Sequence, residues 1–396
     1  MNIYIVANFV PQPYDKTNNR FVYLAKMLAE NNNVTLLTSS FSHENKAQKE
    51  EKKFDFANLK IVNIHESGYP KNICLKRFVS HYGFGKRIGK YLNSVEEKID
   101  VIYLAIPSLT CGSLVVKYCR KHKTRLIVDI QDLWPEAFKM VFNPPILGRL
   151  AYAPFYMIAN KIYKNADEIV AVSDTYKDRG LAVNIKNAKG LTVYLGTNIA
   201  KFDEIASVAT NDVTRPFTVV YIGTLGASYN LIDVEKAIKL LIDKGLNIKF
   251  LVIGDGPQRN EFEMSAKALN INAEFTGLLP YVEMVKRLVG ADLAVNPIHS
   301  GSAASIINKV GDYAAGGLAV INTQESVEYR DKIEELNIGF NVKNGDVLGI
   351  AEAIEKLYEN KALRIEMGAN NRKWAETSFD RAKTYMDIVK MVEKED

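Results

Sequence analysis

Short apolar runs alternate along the chain with stretches whose apolar positions recur every three to four residues. Asn2–Ala7, Val34–Thr38, Leu59–Ile64, Val101–Leu104, Leu126–Ile130, Glu168–Val172 and Leu191–Leu195 are continuous and rich in branched side chains, which predicts buried strands. Between them, Arg20–Asn31 sets Phe21, Leu24, Ala25 and Leu28 at helical spacing, and Gly112–Lys121 reads as a further helix. The pattern then restarts. Strands are expected at Phe217–Gly223, Ile248–Ile253, Ala273–Thr276, Leu293–Val295, Ala319–Ile321 and Gly339–Val342, with helices at Leu231–Lys244, Gln258–Leu269, Val282–Gly290 and Val347–Glu359. Strands without a polar face, separated by helices, belong to parallel sheets covered on both sides.

The chain therefore reads as α/β, with two doubly wound Rossmann-like domains facing a central cleft, the place where open parallel sheets bind ligands. The expected division is 1–198, 199–379 and a last helix, 380–396, packing back toward the first domain. The polar, turn-rich segment Gly196–Pro216 marks the seam. The charged stretch around residues 45–55 reads as a mobile loop.

Composition narrows the class. At 396 residues the chain suits two domains, and 47% hydrophobic with 24% charged residues excludes a disordered or fibrous chain. No apolar run approaches the ~20 residues that span a bilayer, and the opening MNIYIVANFV reads as a strand and not as a signal peptide. Cys74, Cys111 and Cys119 form no CxxC pair, which argues against a disulfide framework or a zinc site and for a cytoplasmic, reducing setting.

The net charge of +5 hides an asymmetry: +11 over residues 1–199 and −6 over 200–396. Residues 67–95 hold six basic residues (Lys71, Lys76, Arg77, Lys86, Arg87, Lys90) and no acidic one, interleaved with Tyr69, Phe78, Tyr82, Phe84 and Tyr91. Basic plus aromatic composition suits an anionic bilayer surface. The plainer alternative is a solvated basic helix face. No RNA-reading motif accompanies the patch, so no nucleic acid is expected.

Four places carry candidate chemistry. Gly254-Asp255-Gly256-Pro257 and Gly223-Thr224-Leu225-Gly226 each follow a strand, where glycines let a ligand approach backbone N–H groups, or simply make a tight turn. The loop Ser300–Ser305 runs into Asn308, Lys309 and Asp312 at a helix start, a setting that favours an anion; the bland reading is a surface Lys309–Asp312 ion pair. Asp132 ends a buried strand, as a catalytic carboxylate or as a helix cap.

With these residues the chain resembles the GT-B glycosyltransferases, family 4, and within it the bacterial capsule and O-antigen sugar transferases. The resemblance rests on Asp132-Leu133-Trp134-Pro135, Val172-Ser173, Gly223, Gly254-Asp255-Gly256-Pro257, Phe275-Thr276-Gly277, and Asn308-Lys309 followed by Asp312-Tyr313-Ala314-Ala315-Gly316. It runs from residue 1 to about 390. Two departures stand out. Of the family's Glu-x7-Glu pair, the second position is Asp312 and the first is Ala304; where the family often has an Arg and a Lys five residues apart, this chain has Thr224 and Tyr229.

The resemblance implies retaining transfer of an N-acetylated hexosamine or deoxyhexosamine from a UDP-sugar to a lipid-linked saccharide, on the inner face of the cell membrane. Lys309 and Asp132 become the catalytic candidates. Gly223, Thr224, Gly254, Gly256, Ser305, Asn308 and Asp312 fall to the nucleotide and its diphosphate, and Lys76, Arg77, Lys86 and Arg87 to acceptor and membrane. No HxH, CxxC or DxD cluster exists, so no metal and no cofactor beyond the donor are expected. A nucleotide-sugar epimerase of the same fold and a non-catalytic partner subunit are the alternatives.

Overall fold

The computed structural model describes residues 1–14, 19–50, 54–71, 74–106, 108–136, 147–209, 214–301 and 306–394. It divides into two compact units, Met1–Val193 with Tyr385–Asp396, and Tyr194–Thr384.

The first unit runs β1 (Asn2–Val6), α1 (Arg20–Ala29), β2 (Asn33–Ser39), β3 (Phe41–Ser42), β4 (Ala47–Gln48), β5 (Leu59–Ile64), α2 (Leu75–Ser94) and β6 (Val101–Ile106). It continues with α3 (Leu109–His122), β7 (Arg125–Ile130), α4 (Leu147–Lys164), β8 (Glu168–Ala171), α5 (Asp174–Leu181) and β9 (Lys189–Thr192). Seven strands form one parallel sheet in the order β5-β2-β1-β6-β7-β8-β9. Every residue of the central strand β6 is buried, as a strand covered on both faces must be. The edge strand β9 begins two residues before the apolar run that predicts it, because pairing with Glu168 and Ile169 recruits the exposed Lys189 and Gly190. The expected mobile loop around residues 45–55 contains part of a small antiparallel hairpin, β3 against β4. Its own hydrogen bonds order it: Lys49 N donates to Ser40 O at 2.7 Å and Gln48 Nε2 to Glu66 O at 2.8 Å.

The second unit runs α6 (Ile199–Ser207), β10 (Phe217–Ile222), α7 (Leu231–Asp243), β11 (Ile248–Ile253), α8 (Arg259–Ala268), β12 (Ala273–Phe275), α9 (Tyr281–Val289) and β13 (Leu293–Asn296). Then follow α10 (Asn308–Ala315), β14 (Ala319–Asn322), α11 (Val327–Glu335), β15 (Gly339–Asn341), α12 (Val347–Glu359), α13 (Lys361–Trp374) and a π-helical turn, Ala375–Phe379. The last helix, α14 (Arg381–Glu393), belongs to the first unit from Tyr385 onward. The sheet order is β12-β11-β10-β13-β14-β15, again all parallel.

Strand periodicity sorts the second core into two layers. Val220, Ile222, Leu251, Ile253, Ala294 and Val320 face one layer, with α9, α10 and α11; Val219, Tyr221, Phe250, Val252, Val295 and Ile321 face the other, with α7 and α12. Each fully buried side chain of this size contributes about 1.5–3 kcal/mol. Helix starts are fixed by side-chain caps: Ser173 Oγ accepts from Tyr176 N, Asn230 Oδ1 from Asp233 N and Asn360 Oδ1 from Leu363 N.

Candidate functional site

In the second unit the chain winds one way from β10 to β11 and β12 and the other way to β13, so the carboxyl ends of β10 and β13 flank a topological switch point. Two turns leave the sheet there, carrying Gly223 at φ 132° and Gly254 at φ 149°, values that demand glycine. Gly223 N donates to Ile253 O at 2.9 Å, and Leu225 N to Asp255 O at 2.9 Å. A Cβ on Gly254 would fall 1.8 Å from Gly223 O, and one on Gly256 would fall 2.3 Å from Leu225 O. Close backbone packing of the two turns therefore accounts for both glycines. At Gly223 the situation differs: a Cβ would stand 3.0 Å from Lys309 Nζ, so the missing side chain leaves room for a lysine.

The turns and the start of α10 enclose a pocket of about 290 Å3 with Leu278, Leu279 and Met284 as its apolar wall. Gly223, Thr224, Gly254, Asn308, Lys309 and Asp312 all line it. Thr224 and Asn308 are exposed; Gly256 is not among the lining residues, and Ser305 and Ala304 lie outside the described residues. Among the described residues no side chain caps the first turn of α10, and no acidic residue occupies it.

Lys309 is the unusual member. Its residue is only 7% exposed, yet Nζ makes no hydrogen bond among the described residues. It lies 3.9 Å from the ring centres of both Tyr221 and Tyr229. Burial with no acidic partner pushes its ammonium well below the usual lysine range. Asp312, one turn on, does not neutralise it. The aspartate's Oδ1 accepts from Thr197 Oγ1 and from Tyr281 OH, both at 3.0 Å. Burial raises its carboxyl, and the two hydroxyls pull the other way. The surface ion pair considered from the i, i+3 spacing is thus not formed: both side chains turn inward, to separate partners.

Behind the loop that follows β13, Asn296, Asn322 and Asn341 stand in register on adjacent strands. Asn296 Nδ2 donates to Asn322 Oδ1 at 2.9 Å, and Asn322 Nδ2 to Asn341 Oδ1 at 3.0 Å. Thr323 Oγ1 accepts from Ile298 N at 3.0 Å. This buried ladder anchors the loop entering the small-residue segment. Sequence reasoning missed it, although three asparagines ending three consecutive apolar strands are a signal once the sheet order is known.

In the first unit, Asp132 follows β7. Its Oδ2 accepts from Trp134 Nε1 at 3.1 Å. Burial raises its carboxyl, opposed by that hydrogen bond and by the nearby Arg77. The four basic residues read as one surface group separate. Lys76, Lys86 and Arg87 are exposed, whereas Arg77 is half-buried, its guanidinium 4.7 Å from the Trp134 ring centre and 5.5 Å from that of Tyr69. The exposed apolar residues of α2 are Leu75, Phe78, Val79 and Tyr82, at i, i+3, i+4 and i+7; Tyr69 and Phe84 are buried. No helix among the described residues is long and apolar enough to cross a membrane, and no group of three His, Cys, Asp or Glu among them could hold a metal.

Comparison with known proteins agrees with this architecture. A family model described as Glycosyltransferase Family 4 matches residues 17–201, and one described as Glycosyl transferases group 1 matches residues 203–374. Protein CapJ of Staphylococcus aureus is 23% identical over 80% of this chain and 75% of its own length. The capsular polysaccharide biosynthesis glycosyltransferase CapM of the same organism is 24% identical over 58% of this chain and 62% of its own. Anabaena HepE, solved in complex with UDP, superposes with a TM-score of 0.68 over 98% of both chains at 12% identity, a likeness of fold. With a family 4 region followed by a group 1 region on two parallel-sheet units of the GT-B type, the chain belongs to the glycosyltransferases.

Proposed function

We propose that the protein transfers a sugar from a UDP-sugar to a lipid-linked saccharide during synthesis of a surface polysaccharide, with retention at the anomeric carbon. The observation that carries this reading is the buried ammonium of Lys309, with no hydrogen bond among the described residues, in the pocket at the switch point of the second unit. A nucleoside diphosphate suits such a site: it supplies the negative charge, and the start of α10, whose N-cap Ile307 gives no side-chain cap, offers backbone N–H groups beside it. The capsular polysaccharide role of CapM and the UDP bound to HepE support the same class of donor and product.

In this reading Lys309 and the α10 N–H groups stabilise the departing diphosphate as the sugar–oxygen bond breaks, which is where preorganised charge acts most strongly. Asp312, whose Oδ2 has no hydrogen bond among the described residues, accepts the ribose hydroxyls. Asp132, on the first unit, holds the acceptor hydroxyl. The donor sugar is an N-acetylated hexosamine or deoxyhexosamine, as the resemblance implies. The exposed stripe Leu75, Phe78, Val79 and Tyr82, flanked by Lys76, Lys86 and Arg87, supports peripheral docking on an anionic membrane at the cytoplasmic face.

A panel of nucleotide sugars screened for thermal stabilisation tests the donor class. UDP-sugars should raise the melting temperature by several degrees, and GDP-sugars should not. Stabilisation by GDP-sugars alone would remove uridine from the reading. Donor turnover into a product with no second saccharide would identify an epimerase instead.

A further inference from the structure

A cavity of about 490 Å3 lies in the first unit at the amino ends of its strands, away from the end where open parallel sheets bind substrates. Arg125 is the first residue of β7 and Glu168 the first of β8, and both line it. Roughly 20 Å of strand separates Arg125 from the carboxyl end of β7, after which Asp132 follows. The cavity is larger than the pocket around Lys309 and within the range of small-molecule sites. Val116, Cys119 and Leu126 give it an apolar base. Burial, then Asp167, pushes the Cys119 thiol up to about 12, with Lys186 opposing, so the base presents no thiolate.

Four cations and two carboxylates line the cavity, and both carboxylates are already engaged. Glu168 accepts from Arg125 through its two oxygens, at 2.7 and 3.2 Å. Asp167 accepts from Lys186 Nζ and from Leu126 N, both at 2.8 Å. Arg125 is occupied as well, since Nη1 donates to Lys394 O at 2.9 Å and to Val392 O at 3.1 Å, at the end of α14. Arg120 and Lys123 remain, three residues apart where α3 ends, with no carboxylate partner among the described residues. The helix macrodipole favours basic residues in such a turn. It accounts equally for Lys121 and His122, neither of which lines the cavity; His122 stacks on Tyr118 at 4.3 Å instead. An independent observation is the backbone of Lys123, at φ 55° and ψ 35°, the left-handed conformation that favours glycine and asparagine. Past the ends of α8 and α11 the chain uses Asn270 and Asn337 for it. At the cavity it keeps a lysine, against the backbone preference.

We propose that this cavity binds the phosphate ester of a small hydroxylated molecule, with the phosphoryl group held between Arg120 and Lys123. A guanidinium offers two parallel donors and an ammonium a point charge, and together they match a phosphoryl dianion. Thr124 and Asn165 face the remainder of the ligand. Asn165 Nδ2 donates to Lys161 O at 2.7 Å, which leaves the amide oxygen to accept from a ligand hydroxyl. The site binds and does not transform: its one thiol is protonated, its two carboxylates are paired, and it stands at the opposite end of β7 from Asp132.

The test is calorimetric titration of the full chain with glucose 6-phosphate, glycerol 3-phosphate and adenosine monophosphate, with glucose and inorganic phosphate as comparators. At least one ester should bind saturably at millimolar concentration, more tightly than inorganic phosphate, and glucose should not bind. Arg120→Gln and Lys123→Asn should each weaken that ester about tenfold, the loss of one charge-assisted contact. Lys123→Asn should also keep or raise the melting temperature, because asparagine suits the left-handed backbone, so its loss of binding cannot come from unfolding. Lys121→Gln removes the same charge from the same helix end and should leave binding unchanged. Saturable binding by none of the three esters overturns the proposal. So does an affinity unmoved in both Arg120→Gln and Lys123→Asn, which would place the ligand elsewhere on the chain. An equal loss in Lys121→Gln would mean diffuse charge and no built site, and inorganic phosphate binding as tightly as every ester would remove the hydroxylated ligand.

Discussion

Lys309 Nζ stands 3.9 Å from the centre of the Tyr229 ring; of the two carboxylates that share its pocket wall, Asp312 is engaged by two hydroxyls and Asp255 accepts from Gly256 N. The second ring, Tyr221, lies at the same distance on another side. Cation–π contacts return about 0.5–2 kcal/mol, less than the several kcal/mol an unpaired buried ammonium costs. The site is therefore unfavourable when empty of an anion and favourable when one arrives. Lys309→Met should raise the melting temperature of the unliganded protein while weakening UDP roughly 10–100-fold, the equivalent of ~1.5–3 kcal/mol for a charge-assisted hydrogen bond. Thermal unfolding with and without UDP reads both effects, and a variant with wild-type UDP affinity would remove Lys309 from the diphosphate.

The same lysine sets a pH dependence. Its folded-state value is depressed below that of the unfolded chain, so the unfolded chain binds more protons and unliganded stability rises with pH across the interval between the two values. UDP favours the protonated form, so its affinity should fall as pH rises. Binding should also take up protons. Calorimetry in two buffers of different ionisation enthalpy counts them; no uptake and a flat affinity from pH 6 to 9 would mean that the ammonium is already charged in the free protein.

Much of this architecture is legible in the sequence, because buried parallel strands are continuous apolar runs and need no long-range information. Ile248–Ile253 and the helix Val347–Glu359 are read to the residue. Lys309 and Asp312 are legible as a pair at a helix start. What each touches is not: Tyr221, Tyr229, Thr197 and Tyr281 reach them from elements up to 115 residues away. Arg77 shows the same limit. Along the sequence it is one of six cations in a basic run, and only the fold turns it toward Trp134 while leaving Lys76 in solvent. Local periodicity fixes which face of a helix is apolar, but not which charged residue on its border is taken inside.

Glu235 is a carboxylate at a core-facing position of α7, fully buried, with neither oxygen hydrogen-bonded among the described residues. Burial pushes its carboxyl from 4.5 up to about 7, with Ser265 offsetting a little. Between those values the folded chain keeps a proton that the unfolded chain has released. Stability should therefore fall as pH climbs from about 4.5 to about 7 and level off above, a loss on the order of 3 kcal/mol. Glu235→Gln should flatten this slope and be the more stable protein at pH 8, but not at pH 4.5. Denaturant unfolding at the two pH values checks it; parallel slopes would show that the carboxylate reaches water.

In the first unit Arg20 Nε donates to Asp129 Oδ2 at 2.8 Å, with both side chains almost wholly buried. Tyr103 OH donates to the same oxygen at 2.7 Å, and Arg20 also donates to Val193 O at 2.9 Å. Removing one partner of such a pair strands the other charge and costs about 3–5 kcal/mol. Arg20→Met should be destabilised by that amount. Arg20→Met with Asp129→Leu should recover part of it, since no charge remains buried. A single variant as stable as wild type would show that water enters the site.

The stripe on α2 divides the proposed membrane binding into two contributions that composition alone merges. Leu75 is 85% exposed and Val79 67%, an arrangement that costs the free protein its hydrophobic contacts and suits insertion of an apolar face. Lys76, Lys86 and Arg87 border it in solvent. Replacing these three by glutamine should weaken binding to vesicles containing anionic lipid by about 1 kcal/mol per charge and make the remainder less sensitive to salt. Replacing Leu75 and Val79 by serine should weaken binding while leaving its salt dependence intact, because the Coulombic part is untouched. Neither variant should alter UDP affinity, whose proposed residues lie on the second unit. Vesicle sedimentation at 50 and 500 mM salt distinguishes the two. If the serine variant sediments like wild type, the stripe is an ordinary exposed helix face and membrane contact, where it occurs, is purely electrostatic.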